Sequence, residues 1–532
     1  MSATAVLKTQ KPQIIQTAEA YNEVPYESFP YPLTHPAHLY IIAKLFGLNA
    51  PAFNKARVLE LGCAAGGNII PLALNYPEGN FIGIDISSKQ IEDGQKQVEA
   101  LGLKNISLRL ESITDIDAAY GTFDYIICHG IMSWVPSFVQ KKIFEVCKER
   151  LSRNGVALIS YNTFPGWNMV RSIRDMMRFH AARFPDKTTK TAQARAIIRF
   201  MNDGLKEATT PYQQFLQQEV KLLENQSDSY LYHDHLESFN EPFYFFDFAK
   251  QAALHGLQYL GEADIHSMFT GNLPPEVGQV LAAANDIVAT EQYMDFFTNR
   301  RFRMTTLCHA EHTLNRHLDA SLIDKFYISS SMRPKDPIES IDLGKDQDVI
   351  FTGPVNFTSH HRVISGIMLE LSQAQGKPQW VPELITNIAQ KLGFADIAPI
   401  KKLFHEHALR LVLANALRLN AEPGNYTITI PAYPKVSALA RHQARTKQKW
   451  VTSQRHEKIT IGDLESILLY LCDGTRNHGQ LAKDWLDEIE KAQMPLFQHG
   501  KLVKSREQRD EIAPIYVNET LTQMAKEALL LE

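Results

Sequence analysis

Several marks of common protein classes are missing from this chain. Its five cysteines, Cys63, Cys128, Cys147, Cys308 and Cys472, are odd in number, widely scattered and form no C-x-x-C pair. That argues against a disulfide scaffold and against a zinc ribbon. No stretch reaches the roughly 18 consecutive apolar residues that a membrane span needs, and Met1 to Thr17 has no apolar signal core. The expectation is a cytoplasmic protein without membrane insertion. Charge of one sign is scarce as well. A formal net charge of −4 lacks the basic excess with which nucleic-acid binders neutralise phosphate, so no nucleic-acid partner is expected. Low-complexity tracts and internal repeats are absent too.

What remains is an ordinary globular composition, 44% hydrophobic and 21% charged over 532 residues, enough for about two to four domains. From Arg57 to about Tyr161, β-rich runs at Arg57–Leu61, Phe81–Ile86, Ile106–Leu110, Tyr125–Cys128 and Val156–Tyr161 alternate with helix-length segments. That alternation builds a parallel sheet covered by helices on both faces. Apolar residues then recur at helical spacing from about 169 to 237, a helical insertion, before Leu257–Ala263 and Arg303–His309 read as two last strands.

The fold class is therefore α/β. A Rossmann-like seven-stranded core spans 56–312 with the insertion inside it, and residues 1–55 precede it as a lid. Helical periods at Arg362–Gln373, Pro382–Lys391 and Ile397–Ala416 lead into β-like runs at Arg418–Ala421 and Tyr426–Ile430, a winged-helix-like order for 313–435. Residues 436–532 read as a further helical, winged-helix-like domain.

The chemistry points to the end of the first strand. Val58-Leu59-Glu60-Leu61 runs straight into Gly62-Cys63-Ala64-Ala65-Gly66-Gly67-Asn68, a small-residue loop that opens a helix. Small residues let a ligand approach the backbone, and the helix N-terminus offers free N–H groups. The spacing Gly62-x-x-x-Gly66 is not the G-x-G-x-x-G that hugs a pyrophosphate, which favours a nucleoside ligand without phosphate, S-adenosyl-L-methionine. Asp85, about 20 residues past Gly66, ends the second strand beside Ile86, where a carboxylate can hold a ribose diol. Glu111 or Ser112, after the third strand, is placed to accept from an adenine amino group. The expected cofactor residues are thus Glu60, Gly62, Cys63, Ala64, Gly66, Asn68, Asp85, Ile86, Glu111 and Ser112, with His129 touching the cofactor from the fourth strand.

The acceptor belongs past the fourth and fifth strands, at Cys128-His129-Gly130-Ile131-Met132-Ser133-Trp134-Val135-Pro136 and Ser160-Tyr161-Asn162-Thr163-Phe164-Pro165-Gly166-Trp167. These loops are aromatic and carry few charges, which suits an amine, because aromatic faces attract a cation without offering a competing carboxylate. Tyr161 and Asn162 are expected to orient the nitrogen, with His129 as candidate general base. Trp134, Phe164 and Trp167 would form walls, and Tyr26 and His35 would reach in from the lid.

The cofactor residues resemble the class I methyltransferase motifs, with Ala64 where the middle glycine is usual. Tyr21-x-x-x-Pro25-Tyr26, Thr34-His35-Pro36, the two loops above and Thr306-Leu307-Cys308-His309 resemble a narrower bacterial family, methyltransferases carrying a regulatory domain, which includes rickettsial protein lysine methyltransferases. The resemblance implies in-line methyl transfer to lysine amines of a protein substrate, and C-terminal domains, the first a regulatory domain over 313–435, that shape substrate access. A small-metabolite acceptor and a non-catalytic cofactor-sensing scaffold are the alternatives. The oligomeric state is left open, a dimer included. Histidine pairs such as His233 and His235 offer zinc-ligand types without four ligands at a recognised spacing, so no metal is expected.

Overall fold

The structure is a computed structural model that describes residues 14, 18–19, 21–23, 25–237, 239–498, 501–503 and 505–532. Most of the expected lid before Tyr21 lies outside those residues. The first described elements are helix α1 (Pro36–Leu45), strand β1 (Arg57–Leu61), α2 (Ile69–Asn75), β2 (Asn80–Asp85), α3 (Ser88–Ala100), β3 (Ile106–Leu110), β4 (Phe123–Cys128), α4 (Ser137–Arg150) and β5 (Leu151–Asn162). The insertion follows as α5 (Gly166–Ala181), α6 (Lys187–Gly204), α7 (Pro211–Glu224) and a π-helical turn at Leu231–Leu236. The chain then returns through α8 (Phe245–Leu254), β6 (Leu257–Glu262), α9 (Pro275–Ala282), α10 (Ile287–Thr298) and β7 (Phe302–His309).

The seven strands form one sheet in the order β3-β2-β1-β4-β5-β7-β6, with β7 antiparallel to both of its neighbours. Its central strands are apolar on both faces because each face is covered. Val58, Tyr125, Ile127 and Leu158 pack with Leu39 of α1 and Ile70 of α2, while Leu59, Ile126 and Ile159 pack with Phe144 of α4 and Phe248 of α8. That is the alternation expected when successive side chains of a strand point to opposite faces. At the antiparallel edge, the fully buried Arg303 pairs with Glu262 (2.7 Å), Glu291 (3.0 Å) and Asp295 (2.8 Å), tying β6, β7 and α10 together.

Beyond residue 313 a small mixed region holds β8 (Tyr327–Ser329), β9 (Arg333–Pro334), β10 (Val349–Thr352), β11 (Phe357–Ser359), α11 (Arg362–Gln373), β12 (Gln379–Trp380), α12 (Val381–Lys391), α13 (Ala398–Leu413) and β13 (Arg418–Asn420). Its helices lie where the apolar periods place them, but the two β-like runs expected after them do not pair with each other. β13 pairs with β8, and Tyr426–Ile430 is not a strand. The Tyr426 hydroxyl instead donates to the Gly376 carbonyl, and the Thr427 N–H donates to that of Leu530, drawing this run toward the end of the chain. The last unit comprises α14 (Ala438–Arg445), the hairpin β14 (Trp450–Thr452) with β15 (Lys458–Thr460), α15 (Asp463–Leu471), α16 (His478–Lys491), β16 (Phe497–Gln498), β17 (Lys501–Leu502) and α17 (Arg506–Lys526), around Trp485 and Leu468. Among the described residues no helix is long and apolar enough to cross a membrane.

Candidate active site

Where β1 ends, the backbone turns into α2 through three left-handed residues, Gly62 (φ 73°), Ala64 (φ 48°) and Gly66 (φ 79°). Two of the three are glycine for reasons of space. A Cβ on Gly62 would stand 2.3 Å from Ile131 Cδ1, and one on Gly66 would stand 2.8 Å from Ile70 Cδ1. Ala64, at the usual middle-glycine position, takes a conformation that costs an L-residue about 1 kcal/mol. Its N–H donates to Asp85 Oδ2 at 2.9 Å, while Asp85 Oδ1 accepts from the Ser87 N–H at 2.8 Å. Burial pushes the Asp85 carboxyl up, and these backbone bonds pull it back down.

The lid lies directly on this loop. The Gly67 N–H donates to Ser28 Oγ at 2.8 Å, and a Cβ on Gly67 would stand 2.0 Å from the Ser28 carbonyl oxygen. Beside it the Asn68 amide donates to Glu60 Oε1 at 2.7 Å. Glu60 Oε2 is buried without a partner and its carboxyl is pushed up to about 8, chiefly by burial. Burial without a charge partner favours the neutral acid, and a cation brought to the free oxygen would favour the carboxylate. The α-ammonium of S-adenosylmethionine supplies that cation, Asp85 suits the ribose hydroxyls, and Gly62, Cys63 and Ala64 line the cavity where the ligand would lie. The residues present therefore fit the cofactor.

Loop and lid open into a cavity of about 680 Å³. Its far side gathers distant segments: Tyr26 from the lid, His129 and Trp134 after β4, Asn162 and Trp167 after β5, Glu219 of α7, Tyr230, Asp234 and the π-helical turn, and Arg301 and Phe302 before and in β7. Trp134 and Trp167 meet edge to face with centroids 6.1 Å apart, and Tyr31 lies on His129 at 4.1 Å. Burial lowers the His129 imidazole to about 4 and leaves its Nδ1 without a partner. The Asn162 side-chain nitrogen is likewise buried and unpartnered. Burial lifts the Asp234 carboxyl to about 7, and its Oδ2 has no partner. Tyr26 and Tyr230 are raised by burial first and then by the Asp234 charge, so this carboxyl sits among phenols.

Not every residue expected from the sequence faces the cavity. Tyr161 does not line it: the side chain is 1% exposed, stacks on Phe248 at 4.1 Å and shares a hydrogen bond with Thr305 Oγ1. Strand alternation is the reason, since Asn162 points to the cavity and its neighbour must point away. Phe164, partly buried, packs on Tyr244 and does not line the cavity. Glu111 is engaged by the Tyr120 hydroxyl, and Ser112 caps a short 3₁₀ turn, so neither lines the cavity. Ile86 and Gly66 shape the loop from behind without lining it, and His35 caps α1. Gly62, Cys63, Ala64, Glu60, Asn68, Asp85, His129, Tyr26, Trp134 and Trp167 do line it. Asp234 is the residue that sequence reasoning passed over. The flanking His233 and His235 offer zinc-ligand types and say nothing of the carboxyl between them, and a π-helical turn, which often marks a functional site, is not legible in the sequence.

Comparison with known proteins places this geometry. Three family models match the chain: a methyltransferase domain over 52–226, a "predicted methyltransferase regulatory domain" over 227–309 and the PKMT C-terminal winged helix domain over 432–529. The regulatory description thus falls on 227–309 rather than on 313–435. An uncharacterized protein of Rickettsia prowazekii is 41% identical over 503 residues, 93% of this chain and 91% of the relative. PKMT2 from Rickettsia typhi, solved in complex with AdoHcy, aligns with a TM-score of 0.88 at 36% identity, covering 96% of this chain and all of that one. The chain belongs to the S-adenosylmethionine-dependent methyltransferases that join a regulatory domain to a PKMT winged-helix domain, the family of that rickettsial protein.

Proposed function

We propose that this enzyme methylates lysine side-chain amines of a protein substrate, in the cytoplasm of a bacterium. The observation that carries the reading is Asp234, a carboxyl whose Oδ2 has no hydrogen-bond partner, buried among aromatic residues in the cavity that the cofactor loop enters. When bound, S-adenosylmethionine supplies an electrophilic methyl group on a sulfonium, held by Glu60, Asp85 and the Gly62–Asn68 loop.

The chain's own residues prepare the amine. A lysine arrives as an ammonium, with an ordinary pKa near 10.4, and in that form has no lone pair to react. Trp134, Trp167 and Tyr26 strip water from the alkyl chain and present their faces to the cation. Asp234 receives the ammonium, and its Oδ2 takes one proton from the nitrogen, a transfer that desolvation of the pair makes accessible. Asn162 fixes the direction of the neutral amine, and positioning then governs the rate. His129 stands as a neutral imidazole on the cofactor side, and Tyr161 and Phe164, which do not line the cavity, take no part. The PKMT designation of the relative supports lysine as acceptor, and the C-terminal domains give a protein substrate a surface to dock on.

Incubation with methyl-labelled S-adenosylmethionine and bacterial lysate, with Asp85→Ala as control, tests this. Label should enter the protein fraction and be lost in the control. Label confined to small molecules would replace the protein acceptor by a metabolite, and tight cofactor binding without any transfer would indicate a sensor.

A further inference from the structure

The C-terminal domain reaches into the cofactor site from 388 residues away in sequence. In the β14–β15 hairpin, Ser453–Glu457 is a closed turn: the Ser453 N–H donates to the Glu457 carbonyl, and the Glu457 N–H donates to Ser453 Oγ. The turn forces His456 into a left-handed conformation (φ 58°) and buries it to 4% exposure. Its Nε2 lies 2.8 Å from Asn68 Oδ1. An amide oxygen cannot donate, so Nε2 carries the proton. The imidazole is neutral, held well below its ordinary pKa by burial and by the neighbouring His35.

Asn68 is where three parts of the molecule meet. Its oxygen accepts from His456, from the Tyr31 N–H at 2.9 Å and from the Thr34 hydroxyl at 3.1 Å, and its nitrogen donates to Glu60. The same hairpin grips the lid: Phe29 lies edge to face with Trp450 at 5.2 Å, and Lys458 Nζ stands 3.6 Å over the Phe29 ring.

We infer that the β14–β15 hairpin of the C-terminal domain is a working part of the cofactor site, with His456 a positioning residue that orients Asn68 and, through it, Glu60, while Trp450 and Lys458 hold the lid on the loop. The inference depends on the cofactor and not on which acceptor is methylated, so it stands or falls separately from the lysine reading. A domain that docks substrate would thereby sense whether the cofactor is bound, and bound cofactor would fix that domain in place.

Calorimetric titration of the full-length protein with S-adenosylhomocysteine tests it without turnover. His456→Ala should raise Kd about tenfold, the loss expected for one buried hydrogen bond plus a loosened carboxylate. His456→Gln, which restores an N–H donor, should recover most of that loss. Asn68→Ala should weaken binding at least as much, and the double variant should be no worse than Asn68→Ala alone, because both substitutions break one chain. Lys458→Ala, an exposed change that leaves folding secure, should raise Kd roughly twofold through the cation–π contact. An unchanged Kd in His456→Ala with a lowered melting temperature would reduce the contact to domain packing and overturn the inference. So would strictly additive effects of His456→Ala and Asn68→Ala. If His456→Ala does not fold, an unchanged Kd in Lys458→Ala overturns it.

Discussion

The two ends of the cavity are built on opposite plans. At the cofactor end one loop is braced from outside by the lid, by Asp85 and by the β14–β15 hairpin, and Glu60 Oε2 apart its polar groups are partnered: Asp85 holds two backbone N–H groups, Asn68 bonds through both side-chain atoms, and Ser28 caps Gly67. At the acceptor end the walls come from the lid, two strand ends, α7, the π-helical turn and β7, and the polar groups of Asn162 and Asp234 are left with unpartnered atoms. The first end is preorganised and loses little freedom when its ligand binds. The second holds desolvated groups whose partners must come from the substrate, an arrangement that costs stability and is accepted at working sites.

That contrast can be broken residue by residue. Asp85→Ala removes the carboxylate that holds Ala64 in its left-handed turn, which is also the proposed ribose anchor, and should raise the S-adenosylhomocysteine Kd roughly a hundredfold by calorimetry. Asp234→Asn should leave that Kd unchanged and lower kcat/KM for a protein acceptor roughly thirtyfold, because only the acceptor end is touched. In the wild type the rate should rise with pH through about 7, the value to which burial lifts this carboxyl, and that limb should vanish in the asparagine variant. Stability should show the opposite trend. A carboxyl whose folded pKa is raised stabilises the fold when protonated, and that contribution is lost as pH climbs from about 4 through 7. Asp234→Asn should therefore melt about 2 °C above the wild type at pH 8 and alike with it at pH 4. Trp134→Ala should raise the acceptor KM about tenfold by removing one aromatic wall, with cofactor affinity intact. Tyr161→Phe gives the smallest effect: about 1 kcal/mol of stability from the Thr305 hydrogen bond, and unchanged turnover.

The same contrast explains what the sequence could convey. The cofactor end was legible because its residues are adjacent in the chain, and each has a reason that sequence states directly: a glycine where a Cβ cannot fit, an acid at the end of the next strand. The sheet was legible too, down to its last two strands, since alternation and apolar runs report burial. Tyr161 was misread because a strand whose two faces are both covered does not reveal which face meets the site. Glu111 and Ser112 satisfied a spacing rule, yet a tyrosine nine residues on and a local cap engaged them first. Asp234 escaped because a long insertion separates it from the strand ends it faces, and its flanking histidines drew attention to metal chemistry. His456 could not have been found at all, since nothing local in a hairpin turn says that it will meet an asparagine 388 residues away in the chain.

The accepting atom is read out by mass spectrometry of protein labelled with deuterated-methyl S-adenosylmethionine. The heavy methyl should lie on lysine side-chain nitrogen, formed by the wild type, missing with Asp85→Ala and sharply reduced with Asp234→Asn. Heavy methyl on another side chain, or wholly outside protein, would contradict it.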